Sequence, residues 1–301
     1  MASFDMAMSG QTSQPKQKSY SKVLHTKRAI RGLICILFCL LSLLPFLLMV
    51  MNATRTSGDI QAGVSLIPSS HLMENWNMLL QKQNGMRLTL GRAMLNSLCI
   101  TVPGTFLAVY CSCMTAYGIH VYNFKAKKFA WAFIMAIMMV PNQITIIGFY
   151  RFMLKLNLVD TYIPLIIPAI ASPGTVFFLR QYVLSVMPPS LIEAARIDGA
   201  SELYTFHRIA IPIMSPGIAT MSIMGFIGGW NAYLLPMIIL NKNEKFTLPV
   251  MMATLRASTD ITANQGAIYL AVAISVIPIL LVFAFFSKYI ISSISAGAVK
   301  E

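Results

Sequence analysis

Acidic side chains are scarce in this sequence, ten in all, and three of them fall in one short stretch. Within residues 187–216 stand Glu193, Asp198 and Glu202, interleaved with Arg196, His207 and Arg208. Charge gathered so tightly in a charge-poor chain marks this as the informative segment. Pro189 suits the start of a helix, and Glu193 follows early enough to favour that helix's positive end. Gly199 is a natural stop, because glycine adopts the left-handed conformation freely. Ser201 can cap a second helix with Glu202 in its first turn, and Pro212 is expected to end that helix. The segment therefore reads as a helix–glycine–helix elbow. Ala194 and Ala195 are small enough to let another surface approach, and Leu191, Leu203, Phe206 and Ile209 supply apolar contacts. Such a knob is built to dock.

The elements that must carry this elbow are membrane helices. The chain has 301 residues, 56% apolar and only 11% charged, against roughly 25% charged in an ordinary soluble domain. A spanning helix needs about 20 mostly apolar residues. Six stretches qualify: 32–51, 93–117, 129–149, 163–183, 213–240 and 267–291. The first exceeds a secretory signal's apolar core and lacks a following small-x-small site, so it reads as an uncleaved anchor. Pro141, Pro164, Pro168, Pro173, Pro236 and Pro278 lie in or beside spans, where proline bends a helix.

Charge sets the orientation. The net charge of +13 would suggest nucleic acid in a soluble protein. Here Lys16, Lys18, Lys22, Lys27, Arg28 and Arg31 instead precede the first span, the mark of a cytoplasmic flank, and no nucleic-acid partner is expected. Placing both termini inside leaves 14 basic residues on cytoplasmic segments and nine outside. The expected organisation is a basic cytoplasmic tail (1–31), a six-span bundle (32–291) and a cytoplasmic C-terminal tail (292–301).

What the spans lack is equally telling. All ten acids fall outside them, whereas proton-coupled carriers place ionisable groups inside the bundle. That argues against a self-sufficient secondary carrier, and the lack of buried acids or paired histidines argues against a membrane enzyme or a metal site. Cys35, Cys39, Cys99, Cys111 and Cys113 lie in apolar stretches as packing residues, and the lone His120 reads as structural. No glycine is followed by lysine, so the GxxxxGK[ST] phosphate loop is absent. Energy for any uphill work must come from a partner.

The elbow also resembles a known family. Glu193-Ala194-Ala195, three residues, Gly199, nine residues and Ile209-x-Ile211-Pro212 is similar to the EAA loop of ABC-importer permeases, with Ile211 where leucine is common. The longer run from Glu193 to Ser201 resembles the carbohydrate-importer, maltose-type branch. So do Gly229-Trp230-Asn231, the ending Ala296-Gly297-Ala298-Val299-Lys300, Asn96-Ser97 and Pro141-Asn142-Gln143. The resemblance covers about residues 30–301.

It implies an all-α, six-span permease of the cell membrane, itself no enzyme and binding no cofactor. The implied partners are a second homologous permease, two cytoplasmic ABC ATPases that use ATP and Mg2+, an extracytoplasmic solute-binding protein and membrane lipid. Glu193, Ala194, Ala195, Asp198, Gly199, Phe206 and Pro212 would couple the bundle to the ATPase, with Glu193 pairing with a basic residue there. Loop 241–266 would reach towards the binding protein, and Gln143, Tyr150, Trp230 and Asn231 are candidates for the solute pathway. The residues themselves also allow plainer roles, packing for Trp230 and helix–helix hydrogen bonding for Asn231. The solute itself stays open between a sugar and a polyol, peptide or amino acid.

Overall fold

The computed structural model describes residues 16–80, 89–257 and 265–298. Residues 1–15, 81–88 and 258–264, with Val299 and Lys300 of the C-terminal signature, lie outside the described residues. No strand occurs among the described residues, as expected where every backbone group must be satisfied within lipid. Five helices are long and apolar enough to cross a membrane: Lys27–Asn52, Leu90–Val121, Ile163–Val186, Glu202–Trp230 and Gln265–Tyr289. The second, fourth and fifth spans pack on one another, the fifth also meets the sixth, and the first lies against the sixth.

The third span, expected to be continuous over 129–149, is instead two helices, Lys127–Met138 and Gln143–Lys155, bent by 100°. Pro141 explains the break. It lacks an N–H and disfavours helical geometry at Val140 before it. The chain tightens just ahead of it, with Met139 N–H donating to Ala136 O and Val140 N–H to Ile137 O, both at 3.1 Å.

The fifth span also departs from expectation at both ends. Instead of running 213–240 it stops at Trp230, and a separate short helix covers Leu234–Ile239. At the other end, Pro212 does not terminate the elbow's second arm. Glu202–Thr205 passes through a π-helical turn, Phe206–Ala210, directly into Ile211–Trp230. The π turn is the physical reason. Ile211 N–H donates to Phe206 O, five residues back, and this widened turn makes room for the Pro212 ring, which would crowd a carbonyl of a regular α-helix.

The buried side chains gather at the two ends of the bundle. At the elbow end, Val109, Cys113 and Tyr117 of the second span and Leu179 and Val183 of the fourth enclose Ile192 and Phe206. At the opposite end, Leu90, Phe226, Trp230, Leu248 and Ala271 form another core. A smaller cluster around Met153, Ile239 and Leu240 joins the bent third span to the short helix after the fifth.

Candidate coupling elbow and central cavity

The first arm of the elbow is Pro189–Ile197, with Pro189 in its opening turn. It ends in a Schellman arrangement: Ala200 N–H donates to Ala195 O and Gly199 N–H to Arg196 O, both at 3.0 Å. Gly199 has φ +77°, a conformation a Cβ would strain. The second arm opens at Ser201, whose hydroxyl accepts from Tyr204 N–H at 3.3 Å. Glu193 is the fifth residue of its helix, past the first turn. The expected dipole contribution there is therefore corrected, since the effect fades within one turn.

A pair of side chains staples the arms across Gly199. Arg196 Nε–H donates to Glu202 Oε1 at 2.8 Å, and the Tyr122 hydroxyl donates to Glu202 Oε2 at 2.7 Å. The Arg196 guanidinium also lies over the Tyr122 ring, 5.6 Å from its centroid. The hydrogen bond to Glu202, aided by desolvation, holds the Tyr122 hydroxyl protonated above its ordinary range. His120 adds a second tie, its Nε2–H donating to Met187 O at 3.0 Å. Arg196 and Tyr122 were not singled out from sequence. Only their place on opposite sides of a glycine turn, or beyond a span end, gives them this role.

The elbow's residues divide by the direction they face. Glu193 and Asp198 are exposed, and among the described residues neither has an intrachain ion pair. Beside them Ile197 is 86% exposed and Leu203 66%. Ala194 faces outward while Ala195 is buried. Phe206, expected at the docking face, is only 3% exposed. It packs edge-on or tilted against Tyr110, Tyr117 and His207. It anchors the elbow to the bundle, and its orientation follows from the π turn that begins there.

Deeper in the bundle, two adjoining cavities meet at Ala232 and Leu235, beside the break after Trp230. The larger, about 730 Å3, is lined by Gln143, Thr145, Phe149, Gly228 and Tyr233 among others. The smaller, about 320 Å3, is lined by Thr101, Thr105, Ser172, Thr175 and Thr247 with small apolar residues. The hydroxyls of Thr101 and Thr247 are buried without a protein partner, so they are free to serve a polar guest. Of the four pathway candidates only Gln143 lines this space. Trp230 is 2% exposed, stacks on Phe226 and donates through Nε1 to Ser275 O at 3.0 Å. It is a bolt between the fifth and sixth spans, which corrects its reading as a lining residue. Tyr150 packs in the cluster around Met153, and Asn231 is an exposed helix end. No three His, Cys, Asp or Glu side chains converge to hold a metal ion among the described residues.

At the opposite mouth, the loop after the fifth span is tied down by residues whose spacing gave no warning. Asp160, at φ +62°, accepts from the backbone N–H groups of Asn241 and Lys242 at 3.1 Å and pairs with Lys245 at 2.9 Å. Lys245 also donates to the Asp160 carbonyl. Partial burial works to raise the Asp160 carboxyl, but these donors outweigh it and hold the group below its ordinary range. Asn96 donates to Glu244 O at 2.9 Å and Phe246 O at 3.0 Å, and Ser97 Oγ accepts from Leu248 N–H at 2.8 Å. That gives Asn96-Ser97 a structural purpose.

These features define an α-helical membrane protein with a helix–glycine–helix elbow at one end and a tethered loop at the other. Residues 104–296 match the family described as the binding-protein-dependent transport system inner membrane component, and the chain belongs to that family. It is 34% identical to the arabinooligosaccharides transport system permease protein AraQ of Halalkalibacterium halodurans, over 86% of this chain and 92% of that one. The diacetylchitobiose uptake system permease protein NgcG of Streptomyces coelicolor is 28% identical, over 89% and 88%. A solved chain from a bacterial ABC transporter that imports the polysaccharide alginate shares the fold, with a TM-score of 0.74 at 20% identity, over 92% of this chain and 99% of that chain. The protein is thus a transport component of the cytoplasmic membrane and not an enzyme.

Proposed function

We propose that this chain is one half of the permease of an ATP-driven carbohydrate importer, paired with a second homologous permease. Both termini lie in the cytoplasm, with the basic tail at 1–31 and the C-terminal tail at 292–301 flanking the bundle. Two ATPase subunits bind ATP and Mg2+ and seat the elbow in a cleft. Glu193 pairs with a basic residue of the ATPase, and Asp198 and Ala194 share that contact. ATPase closure swings the elbow about Gly199 and, through Phe206, moves the second and fifth spans. An extracytoplasmic binding protein delivers the solute to the face carrying residues 241–266.

The observation that carries this reading is the elbow's outward face. Two unpaired acids beside Ile197 and Leu203 form a surface that is costly in water and ready for a protein partner. The carbohydrate assignment draws on the names of the relatives and on the hydroxyl-lined cavity, which suits a guest rich in hydroxyls. In the reconstituted complex, Glu193→Lys is expected to lower uptake and binding-protein-stimulated ATP hydrolysis by about tenfold or more. Unchanged uptake would refute the coupling role. Uptake of a panel of labelled glycans tests the solute class, and transport restricted to peptides or amino acids would overturn it.

A further inference from the structure

Arg180 sits inside the fourth span, Ile163–Val186, about 9 Å along the helix from its elbow end. Neither a hydrogen bond nor an ion pair reaches it among the described residues, and its Nε is buried without a partner. A cation at this depth is costly unless something anionic answers it. Its immediate neighbour is Trp131 of the bent third span, whose ring centroid lies 3.9 Å from the guanidinium carbon. Phe177, three residues before Arg180, also stacks on the Trp131 ring, with centroids 5.9 Å apart. A cation–π contact satisfies none of the guanidinium's N–H donors, which lie in its plane, so they remain to be answered by an acceptor.

The surroundings favour lipid as the source of the anion. Lys127 and Lys128 lie four and three residues before Trp131, adding positive charge at the start of the same helix. Phe129 and Phe133, stacked on each other at 6.2 Å, are exposed on that helix, as is Leu184 one turn beyond Arg180. The site therefore offers an unanswered cation about 9 Å inside the span, with Lys127 and Lys128 nearer the elbow-side surface and the exposed apolar side chains of Phe129, Phe133 and Leu184 around it. Basic pockets between spans on the cytoplasmic side are suited to anionic headgroups.

We propose that Arg180, set against the Trp131 ring, binds the phosphate of an anionic phospholipid in the leaflet on the elbow side. The lipid completes the contact between the third and fourth spans next to the elbow. The test uses the whole transport complex extracted from membranes containing phosphatidylglycerol, with retained lipid counted by native mass spectrometry. Arg180→Gln is expected to lower phosphatidylglycerol occupancy roughly fivefold or more, and Arg180→Lys to restore part of it. Trp131→Leu, which keeps the arginine but removes its platform, is expected to lower it less. Phosphatidylglycerol should raise the Tm of the wild-type complex and leave that of Arg180→Gln unchanged. Equal lipid retention by wild type and Arg180→Gln would overturn the proposal. So would stabilisation of the wild type by inorganic phosphate alone, which would make the ligand a soluble anion. Loss of the second permease from Arg180→Gln at unchanged lipid count would assign the anion to a carboxylate of that subunit. If Arg180→Gln does not assemble, Trp131→Leu and Arg180→Lys carry the same measurement.

Discussion

The two ends of the bundle are held by different kinds of contact. At the end carrying the 241–248 loop, the ties join residues far apart in sequence and are largely withdrawn from solvent: Asn96 to Glu244 and Phe246, Ser97 to Leu248, Asp160 to Lys245. The neighbouring loops follow the same rule, since Asn75 donates to the carbonyls of Ala53 and Arg55 and Gln265 N–H to Ser57 Oγ. At the elbow end the side-chain ties are mostly exposed, whether local, as between Arg196 and Glu202, or long-range, as from Tyr122 to Glu202. Arg196 and Glu202 are six residues apart with both side chains exposed, while Ile192 and Phe206 root the arms in the core. The difference separates a frame from a lever. Buried hydrogen bonds are costly to break because the freed groups stay desolvated; exposed ion pairs exchange readily with water.

The largest effect on this contrast is expected at Gly266. A Cβ there would overlap the Arg55 carbonyl and the Asn75 side-chain amide, neither of which can retreat without losing a buried bond. Gly266→Ala should destabilise the chain by about 3 kcal/mol, seen as a lowered Tm of the purified complex. Next comes Asn96→Ala, which strips the donor from two part-buried carbonyls. A cost of about 2 kcal/mol is expected, together with faster amide hydrogen exchange over 241–248. A wild-type exchange pattern there would dissolve the frame.

Acid tests the frame by another route. The Asp160 carboxyl is held below its ordinary range in the folded protein, so its contribution is complete above about pH 4, the unfolded value. It is lost as pH falls through the lower folded value. Protection from exchange over 241–246, taken relative to the intrinsic rate at each pH, should therefore fall at acid pH in the wild type, and Asp160→Asn should show that looseness at neutral pH with little further change. The smallest effect is expected at Glu202→Gln. Global Tm should scarcely move, while the distance between spin labels on the two arms broadens. A large fall in Tm would make the elbow part of the frame and end the comparison.

How much of this was legible in the sequence depends on the range of the interaction. The elbow was readable nearly residue by residue, because helix starts, caps and glycine stops act within a few positions: Pro189, Gly199 and Ser201 do what their chemistry dictates. Errors arose where a neighbour several turns away decided the outcome. Phe206 reads as a docking residue until the second span's Tyr110 and Tyr117 surround it. Trp230 reads as a pathway residue until Ser275 supplies a carbonyl. Pro141 and Pro212 are the same residue type with opposite outcomes, a 100° break in one case and an unbroken helix in the other, because a π turn absorbs the second.

Composition and pattern alone determined that the chain is a helical membrane protein, roughly which stretches are apolar enough to span, that it carries no phosphate loop, and that a helix–glycine–helix elbow joins the fourth and fifth spans. All of these depend on contiguous residues and on the solvent around them. The tertiary structure decided which faces of the elbow remain outward, that Gln143 lines the cavity and Trp230 does not, and that Asp160 and Asn96 clamp the opposite loop. It also set Arg180 against Trp131 with its buried Nε lacking a partner among the described residues. Those outcomes turn on pairs of groups brought together across 50 to 150 residues, and no local preference of either member encodes the meeting.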